Sequence, residues 1–538
     1  MAKRAPPGLR PAPTLSHALL PAPPPSLLSP PLLLLLPGLL STPAVSCVLR
    51  EREGGVAAGG FILTASHNPG GLEEDFGIKY NGENGGPAPE ALTDAIFALT
   101  KSVSRVLWCP ELPPVDLDAL GATAADTARG RFTVEVIDSV ADYAAALQRV
   151  FDFPLLRTLI ARKDFSMAYD GMSGVAGPYG RGVLGGLLGV PAASLRNCQP
   201  LPDFGGHHPD PNLTYASELV ALCGLTRTGE ASAAASLPGA PPLPVLGAAQ
   251  DGDADRNMIL GARFFVTPSD SVALIAAHAL AIPYFAAAGG LRGCARSMPT
   301  SCALDRVAAK AGIPFFEVPT GWKFFGNLMD SGALGGADYC PFLCGEESFG
   351  TGSSHVREKD GLWAVLAWLS ILARANAGVP EGSLVGVEAL VRAHWAEYGR
   401  NYYCRYDYEG IEGARAEAVM ARLRARVAAG PGPLGVPGGG AYALAACDEF
   451  SYTDPVDGSV SAAQGLRFSM QDGSRIVYRL SGTGSVGATL RVYIERYEAD
   501  PARHSLPTAE ALRELVAIAL ALGDIEALTG RAEPTVIT

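Results

Sequence analysis

The sequence is organised around the stretch Thr64-Ala65-Ser66-His67-Asn68-Pro69-Gly70-Gly71. It follows the apolar residues 59–63, which predict a short buried strand. Pro69 and Gly70 end regular structure, so Ser66 is expected on a turn with its hydroxyl exposed. A serine placed there can act as a nucleophile, with His67 beside it and free backbone N–H groups to hold an anion. The same residues also suit a plain Asx or Ser/Thr turn, so this stretch alone leaves both interpretations open.

The composition sets limits on size and partners. The 538 residues leave room for about three to five domains, and an apolar fraction of 48% suffices for several cores. A net charge of −12 argues against nucleic acid or an anionic membrane as the main partner. The ten cysteines show no paired zinc spacing and are typical of the reduced thiols of a cytosolic protein.

Residues 1–40 differ from the rest of the chain. Proline runs flank the leucines at 32–36, and no helical or strand period is present. Basic residues ahead of the leucines also allow a signal peptide, but the run is far shorter than the ~20 apolar residues of a membrane span. We predict a disordered extension, or a wrongly assigned first exon, that does not pack against the body of the protein.

Beyond residue 40, strand-like and helix-like segments alternate. Residues 132–137 predict a strand and 140–150 a helix, and a strand at 258–260 precedes a helix at about 269–281. This alternation indicates an α/β architecture.

The second stretch with chemical potential is Asp251-Gly252-Asp253-Ala254-Asp255-Arg256. Three carboxylates at i, i+2 and i+4 repel one another unless a positive charge lies among them. A divalent cation is the usual solution, and an all-oxygen ligand set favours a hard ion such as Mg²⁺. A solvated acidic turn or half of a calcium loop is the alternative.

The third stretch is Gly345-Glu346-Glu347-Ser348-Phe349-Gly350, which could accept hydrogen bonds from sugar hydroxyls. His355, Arg357 and Lys359 follow it and are expected to supply positive charge nearby. Taken alone, these segments equally suit an ordinary loop and a solvated basic turn.

The fourth stretch runs from Arg479 through Ser481, Gly482 and Thr483, with Arg491 beyond it. Glycines expose backbone N–H groups, hydroxyls donate and two arginines flank the loop, which predicts a phosphate cradle without the lysine of a P-loop. A Gly/Ser hairpin turn is the alternative.

Together the four stretches describe phosphoryl transfer on a phosphosugar, and here the sequence resembles the phosphohexomutase family and closely resembles vertebrate-type phosphoglucomutases. The likeness covers nearly everything after residue 38. The matching segments are residues 64–71, 75–79, 203–215, 251–260, 296–300, 319–330, 344–370, 479–489 and 534–538.

The resemblance implies three α/β domains and a smaller α+β C-terminal domain around a central cleft. The expected boundaries are 41–139 for an incomplete first domain with the serine loop, 140–267 with the metal loop, 268–391 with the sugar loop and 392–538 with the phosphate loop. Residues 1–40 stand outside them.

The resemblance also implies the roles of the site residues. Ser66 would carry the phosphoryl group between glucose 1-phosphate and glucose 6-phosphate through glucose 1,6-bisphosphate, and would hold Mg²⁺ together with the three aspartates. Proton transfer and charge stabilisation would fall to His67, Lys79, Arg256 and Lys359. The sugar would be held by Thr320, Gly321, Glu346 and Ser348. The phosphate that does not react would be held by Arg479, Ser481, Gly482, Thr483 and Arg491. A cytoplasmic monomer with a phosphosugar substrate is expected, without nucleic acid or membrane as partner.

The chain also departs from the family pattern. Residues 1–38 stand where the family has a strand and helix with a Thr-Ser-Gly-x-Arg motif and an Asp-Gly-Arg segment, so the first domain is expected to lack part of its sheet. Ala254 replaces the usual glycine of the metal loop, where a positive φ would cost ~1 kcal/mol or more.

These departures keep a second hypothesis open, a catalytically impaired phosphoglucomutase-like scaffold of cell junctions with junction or cytoskeletal partners. Residues 402–405 resemble that protein, whereas the intact serine and phosphate loops favour the enzyme. A secreted or membrane-tethered carbohydrate-binding protein rests only on the leucine run.

Overall fold

The computed structural model describes residues 32–35, 39–106, 109–110, 112–128, 130–481 and 487–538. The chain divides into two compact units, one made of residues 1–38 with 104–138 and the other of residues 39–103 with 139–538. Ser66, the metal loop and the sugar loop all belong to the second unit. Among the described residues, no helix has the length and apolar character needed to cross a membrane.

The first unit contains a three-stranded sheet in the order Leu32–Leu35, Gly130–Val136, Gly121–Thr127. Leu32–Leu35 pairs in parallel with residues 133–136, so the expectation that residues 1–40 lack regular structure does not hold for these four residues. A continuous apolar run shows no alternation, and periodicity alone therefore does not distinguish it as a strand. The rest of that expectation, at residues 1–31 and 36–38, lies outside the described residues.

The second unit begins with helix Thr42–Glu51 and an antiparallel pair of strands, Gly59–Thr64 and Gly77–Gly82. The strand before Ser66 is confirmed, but its predicted burial is wrong. Ile62 is buried, whereas Phe61 and Leu63 are 69% and 63% exposed. Alternate side chains of a strand point to opposite faces, and the face with Gly60 and Ile62 lies against the helix, whose Leu49 side chain is next to Gly60.

Two mixed sheets follow in the chain. The first has the strand order Phe264–Val266, Asn257–Gly261, Leu246–Gln250, Met167–Asp170, Leu195–Arg196. The second has the order Phe315–Val318, Gly293–Ser297, Phe342–Gly345, Thr351–Ser353. Both combine parallel and antiparallel pairs and carry helices between their strands, as the predicted α/β architecture requires.

The C-terminal region forms a larger sheet in which every pairing is antiparallel. Its order is Leu444–Glu449, Leu466–Met470, Arg475–Ser481, Ala488–Glu498, Arg400–Ile411, Val536–Ile537. A small ladder, Tyr452–Thr453 with Val460–Ser461, lies beside it.

The remaining α-helices are Glu90–Thr100, Ala141–Val150, Phe153–Ile160, Ala176–Tyr179, Ser217–Leu222, Pro268–Ala277, Pro283–Ala286, Ala303–Ala311, Trp322–Asp330, Gly361–Ala375, Val387–Tyr398, Gly413–Ala428, Thr508–Gly523 and Ile525–Thr529, with a π-helix at Gly180–Leu187. The predicted helix at 140–150 and strands at 132–137 and 258–260 are present within two residues of their expected ends. The helix expected to reach 281 ends at Ala277. The ten cysteines, all in the described part of the chain, are free thiols as expected.

A buried polar network joins the second α/β region to the third. Asp360 is fully buried and caps helix Gly361–Ala375 by accepting a hydrogen bond from the Trp363 N–H at 2.9 Å. It also lies 2.8 Å from His355 Nε2. The Tyr143 hydroxyl, on helix Ala141–Val150, donates to Asp360 Oδ1 at 2.5 Å.

We predict that Tyr143→Phe lowers the free energy of unfolding by about 1–3 kcal/mol, because a buried carboxylate then loses a donor. Urea denaturation followed by fluorescence measures this loss. Tyr339→Phe is the matched control, since its hydroxyl has no hydrogen-bond partner in the described part of the structure. Equal effects of the two substitutions would contradict the prediction.

Candidate active site

Ser66 lies on a strained turn directly after strand Gly59–Thr64. Its φ of 59° is in the left-handed region that a non-glycine residue rarely adopts, and such strain is common at functional sites. The Ser66 N–H donates to Thr64 Oγ1 at 2.7 Å, and His67 Nδ1 lies 3.4 Å from Ser66 Oγ. Burial, and next the guanidinium of Arg256, lower the pKa of His67 to about 2. His67 is therefore a neutral hydrogen-bonding group at physiological pH.

The metal loop lies directly against this turn. A Cβ at Gly252 would lie 2.4 Å from the Ser66 carbonyl oxygen and 2.9 Å from the Phe204 ring, a separation that real atoms do not adopt. Only glycine therefore allows the acidic loop to approach Ser66 so closely. The Gly252 N–H donates to the Pro209 carbonyl at 3.2 Å, which holds the loop in place.

The three aspartates form one buried cluster. Asp251, Asp253 and Asp255 each offer a ligand atom, and these atoms lie within 4.8 Å of one another. Among the described residues, no donor reaches Asp251 Oδ2 or Asp253 Oδ1. Burial, followed by the neighbouring carboxylates of Asp255 and Asp253, raises the pKa of Asp251 well above its ordinary value. Unpaired buried oxygens in an all-carboxylate cluster fit a hard divalent cation.

Ala254 has the positive φ that the sequence analysis considered, at 63°. It is buried, and its carbonyl accepts a hydrogen bond from Gln250 Nε2 at 3.2 Å. The chain therefore accepts backbone strain here to bring Asp253 and Asp255 onto one side of the loop.

Three cations surround the aspartates. Lys79 Nζ lies 2.7 Å from Asp253 Oδ2, and Lys359 Nζ lies 3.2 Å from Asp255 Oδ2. Arg256 Nε lies 3.8 Å from Asp251 Oδ2 and 3.9 Å from Asp255 Oδ1. These predicted residues therefore converge on the aspartate cluster.

The two lysines are held in their charged form. Burial opposes the charge of Lys79, but the carboxylates of Asp253 and Asp255 outweigh it, and the pKa of Lys79 lies above its ordinary value. Burial likewise opposes the charge of Lys359, and Asp255 and Glu346 raise its pKa.

The sugar loop is attached to the metal loop. Arg256 and Gly350 form an isolated antiparallel bridge, and the Asn257 N–H donates to the Phe349 carbonyl at 2.8 Å. Glu346 is 5% exposed, with its Oε1 3.8 Å from Lys359 Nζ. Ser348 on the same loop is half-buried.

Thr320 and Gly321, the other predicted sugar contacts, precede helix Trp322–Asp330. Thr320 is half-buried, and its hydroxyl oxygen is shielded from solvent without a hydrogen-bond partner in the part of the chain that the structure describes. Gly321 has a φ of 132° at the start of the helix. Lys359 Nζ lies 5.8 Å from the centre of the Trp322 ring. This turn therefore lies next to one of the three cations that surround the aspartates.

His355 and Arg357 do not supply the charge predicted for them near the sugar loop. His355 lies between Ser353 Oγ and Asp360 Oδ2, 2.8 Å from each. Arg357 Nε donates to Asp330 Oδ1 at 2.8 Å. Both side chains are already engaged in the protein interior, and of the three residues only Lys359 faces the site.

The phosphate loop begins from neighbouring strands of the C-terminal sheet. Arg479 and Arg491 are directly opposite each other in the pairing of Arg475–Ser481 with Ala488–Glu498. Like charges placed opposite each other are unfavourable, so the pair is suited to an anion. Arg479 Nη1 donates to the Tyr493 hydroxyl at 3.3 Å, and Arg491 Nε lies 3.8 Å from Asp407 Oδ2. Ser481 ends its strand; Gly482 and Thr483 lie outside the described residues.

Asp210 and Thr42 also contact the site, although no role was predicted for either residue from the sequence. Arg256 Nη1 lies 3.8 Å from Asp210 Oδ1. Asp210 belongs to the segment 203–215, whose match to the family pattern was the available signal. Thr42 Oγ1 donates to Asp253 Oδ2 at 2.9 Å, and the local sequence does not show a contact between residues 211 apart.

We predict that Gly252→Ala reduces turnover by at least about 100-fold, because the added methyl displaces Ser66 from the acidic cluster by about 1 Å. Steady-state kinetics of the purified variant measures this. The control is Gly326→Ala in helix Trp322–Asp330, where an added Cβ meets nothing within 4 Å and turnover should be unchanged. Normal turnover in Gly252→Ala would show that the close approach is unnecessary.

Four family models match successive parts of the chain. They are phosphoglucomutase/phosphomannomutase alpha/beta/alpha domain I at residues 32–106, domain II at 141–263 and domain III at 268–398. The fourth, the C-terminal domain of phosphoglucomutase-1, matches residues 400–535. Each of the four predicted loops falls within one of these matches.

Two plant proteins are also similar to the chain over most of its length. The chain is 55% identical over 509 residues to a probable cytoplasmic phosphoglucomutase of Arabidopsis thaliana, covering 93% of this chain and 84% of the relative. It is 54% identical over 511 residues to the cytoplasmic phosphoglucomutase of Pisum sativum, with the same coverage.

A solved structure supports the same assignment. The open form of parafusin, described as a phosphoglucomutase from Paramecium, has a TM-score of 0.81 and 48% identity, with 94% of this chain and 85% of that structure covered. On these grounds the chain belongs to the phosphoglucomutase/phosphomannomutase family.

Proposed function

We propose that this chain is a phosphoglucomutase that interconverts glucose 1-phosphate and glucose 6-phosphate through phosphorylated Ser66 and glucose 1,6-bisphosphate. The observation that carries the proposal is the close contact between the Ser66 turn and the aspartate cluster at Gly252. Relatives named phosphoglucomutase at 54–55% identity support the same activity.

In the first half-reaction, O6 of glucose 1-phosphate attacks the phosphorus carried by Ser66. The bond from phosphorus to Ser66 Oγ breaks as the bond to O6 forms, and the O6 proton passes to a basic group of the site. The product is glucose 1,6-bisphosphate, with Ser66 Oγ released.

In the second half-reaction, the bisphosphate has turned so that its C1 phosphate faces Ser66. Ser66 Oγ attacks that phosphorus, the bond to O1 breaks and O1 takes up a proton. Glucose 6-phosphate leaves, and Ser66 is phosphorylated again. No net water or phosphate is consumed.

The surrounding side chains have roles suited to this exchange. Lys79 and Lys359 neutralise charge on the moving phosphoryl group and, because both are held protonated, are candidates to donate a proton to the leaving oxygen; Arg256 adds a fixed positive charge. Electrostatic stabilisation and positioning provide most of the catalysis in such transfers. His67, as a neutral ring, is placed to hydrogen-bond to the Ser66 oxygen.

Substrate binding is divided among three segments of the chain. Thr320, Gly321, Glu346 and Ser348 would contact the sugar hydroxyls, and Arg479, Arg491 and Ser481 would hold the phosphate that does not react. Because the phosphate arginines are on a different sheet from the reacting serine, the substrate can present either end to Ser66 while the other end is held.

Asp251, Asp253 and Asp255, with the oxygen on Ser66, are the residues that would hold Mg²⁺. A bound Mg²⁺ supplies Lewis-acid stabilisation of charge on the phosphoryl group. The relatives are named as cytoplasmic proteins, and we assign this chain to the same compartment as a monomer. The intact aspartate cluster and its three cations give no support to the junction-scaffold hypothesis.

We predict that incubation with glucose 1,6-bisphosphate labelled on phosphate transfers one phosphoryl group to Ser66, which peptide mass spectrometry locates. Ser66→Ala should abolish both label and turnover, because the hydroxyl that would carry the phosphoryl group is then missing. Ser102→Ala, an exposed serine, is the control and should label normally. Labelling of Ser66→Ala at another residue would refute the proposed carrier.

We predict that Asp253→Asn weakens Mn²⁺ or Mg²⁺ binding at least about tenfold, since even outer-sphere changes commonly cost 10–100-fold in metal affinity. Turnover should fall in parallel. Isothermal titration calorimetry measures the binding, and Asp203→Asn on an exposed neighbouring turn is the matched control. Unchanged metal affinity in Asp253→Asn would show that this aspartate is not a ligand.

A further inference from the structure

Thr42 begins the helix Thr42–Glu51 and is completely buried beside the metal loop. The preceding residue, Ser41, caps the helix by accepting a hydrogen bond from the Ala44 N–H at 3.2 Å. Pro43 occupies the first turn, where its fixed φ favours the helical start. The cap and the proline therefore fix the start of this helix from within its own segment.

Two hydrogen bonds join Thr42 to Asp253. The Thr42 N–H donates to the Asp253 carbonyl at 3.0 Å, and the Thr42 hydroxyl donates to Asp253 Oδ2 at 2.9 Å. Lys79 Nζ contacts the same carboxylate oxygen at 2.7 Å. Asp253 Oδ1, by contrast, is buried without a hydrogen-bond partner in the described structure. One oxygen of the carboxylate is thus fixed from outside the loop, and the other is left for a ligand.

We propose that Thr42 is a positioning residue of the cation site, whose hydroxyl fixes the Asp253 carboxylate so that Oδ1 faces the cation. The inference rests on the divalent-cation site of the proposed function. It concerns a residue that would not itself bind the cation or the substrate. It adds to the active site a neutral outer-sphere donor more than 200 residues away from its partner in the chain.

The uncharged Thr42 hydroxyl can orient the Asp253 carboxylate in a way that the charged Lys79 ammonium cannot. The Lys79 side chain is 35% exposed, also lies 3.7 Å from Asp255 Oδ2, and is a candidate to move charge during the reaction. The Thr42 hydroxyl orients Asp253 without cancelling its charge and has no access to solvent. It therefore holds the Asp253 carboxylate without depending on Lys79, which is shared with Asp255.

The contact also links two regions of the second unit. Thr42 lies in the part of the chain that matches family domain I, and Asp253 lies in the part that matches domain II. Ser66 follows Thr42 within the same domain match. Fixing Asp253 from this side sets the position of the acidic cluster relative to the residue that would carry the phosphoryl group.

Direct metal binding tests this inference without relying on turnover. Mn²⁺ is titrated into the full chain and into the variants Thr42→Val, Thr42→Ser and Ser41→Ala. Electron paramagnetic resonance measures the free Mn²⁺ at each step. Thr42→Val keeps the shape and removes the hydroxyl, and should weaken binding by about 10–100-fold. Thr42→Ser keeps the hydroxyl and should bind close to the parent chain.

Ser41→Ala separates helix stability from metal positioning. Loss of this cap should lower the free energy of unfolding by about 1 kcal/mol while leaving Mn²⁺ affinity unchanged. Circular dichroism verifies the fold of each variant, and Thr42→Ala carries the same expectation if Thr42→Val does not fold.

The outcomes are distinguishable. Equal Mn²⁺ affinity in the parent chain and the folded hydroxyl-free variants overturns the role of Thr42 and leaves the cation site intact. Equal weakening by Ser41→Ala and Thr42→Val also overturns it, because the effect then belongs to the helix. Failure of the parent chain to bind Mn²⁺ or Mg²⁺ overturns the cation site of the proposed function, and with it this inference.

Discussion

Mutual repulsion of three buried carboxylates is the constraint on which the active site depends. Asp251, Asp253 and Asp255 lie within five residues and are almost completely shielded from water, so their charges must be balanced by groups brought to them. Lys79 arrives from the strand pair that carries Ser66, and Lys359 arrives from the segment after the sugar loop. Balancing the charge therefore also assembles the loops that the chemistry needs.

The same constraint explains why the metal loop is central to the second unit. Its glycine touches the Ser66 turn, its arginine bridges to the sugar loop at Gly350, and Thr42 holds its middle aspartate. The phosphate arginines belong to a separate sheet. Ser66 is thus positioned by one connected set of contacts, and the arginines proposed to hold the distant phosphate by another.

Much of this site could be predicted because its signals are local. Chain breakers after Ser66 and the alternating acids of the metal loop have a meaning that does not depend on the rest of the fold. The predictions that were wrong failed for a different reason. Leu63 looked buried because an apolar run does not show which face is covered. His355 and Arg357 looked available because the local sequence does not show that Asp360 and Asp330 would hold their side chains.

The sequence by itself determined the turn at Ser66, the spacing of the three acids, the glycine-flanked loops and the alternation of strands and helices. These features depend on neighbouring residues and on the limited conformations of the backbone. Only the tertiary structure decided that Lys79 would meet Asp253 across 174 residues and that Thr42 would reach the same carboxylate across 211. Such contacts depend on how separate segments pack, and a hydroxyl that is ordinary in its local sequence becomes important only because of what packing places beside it.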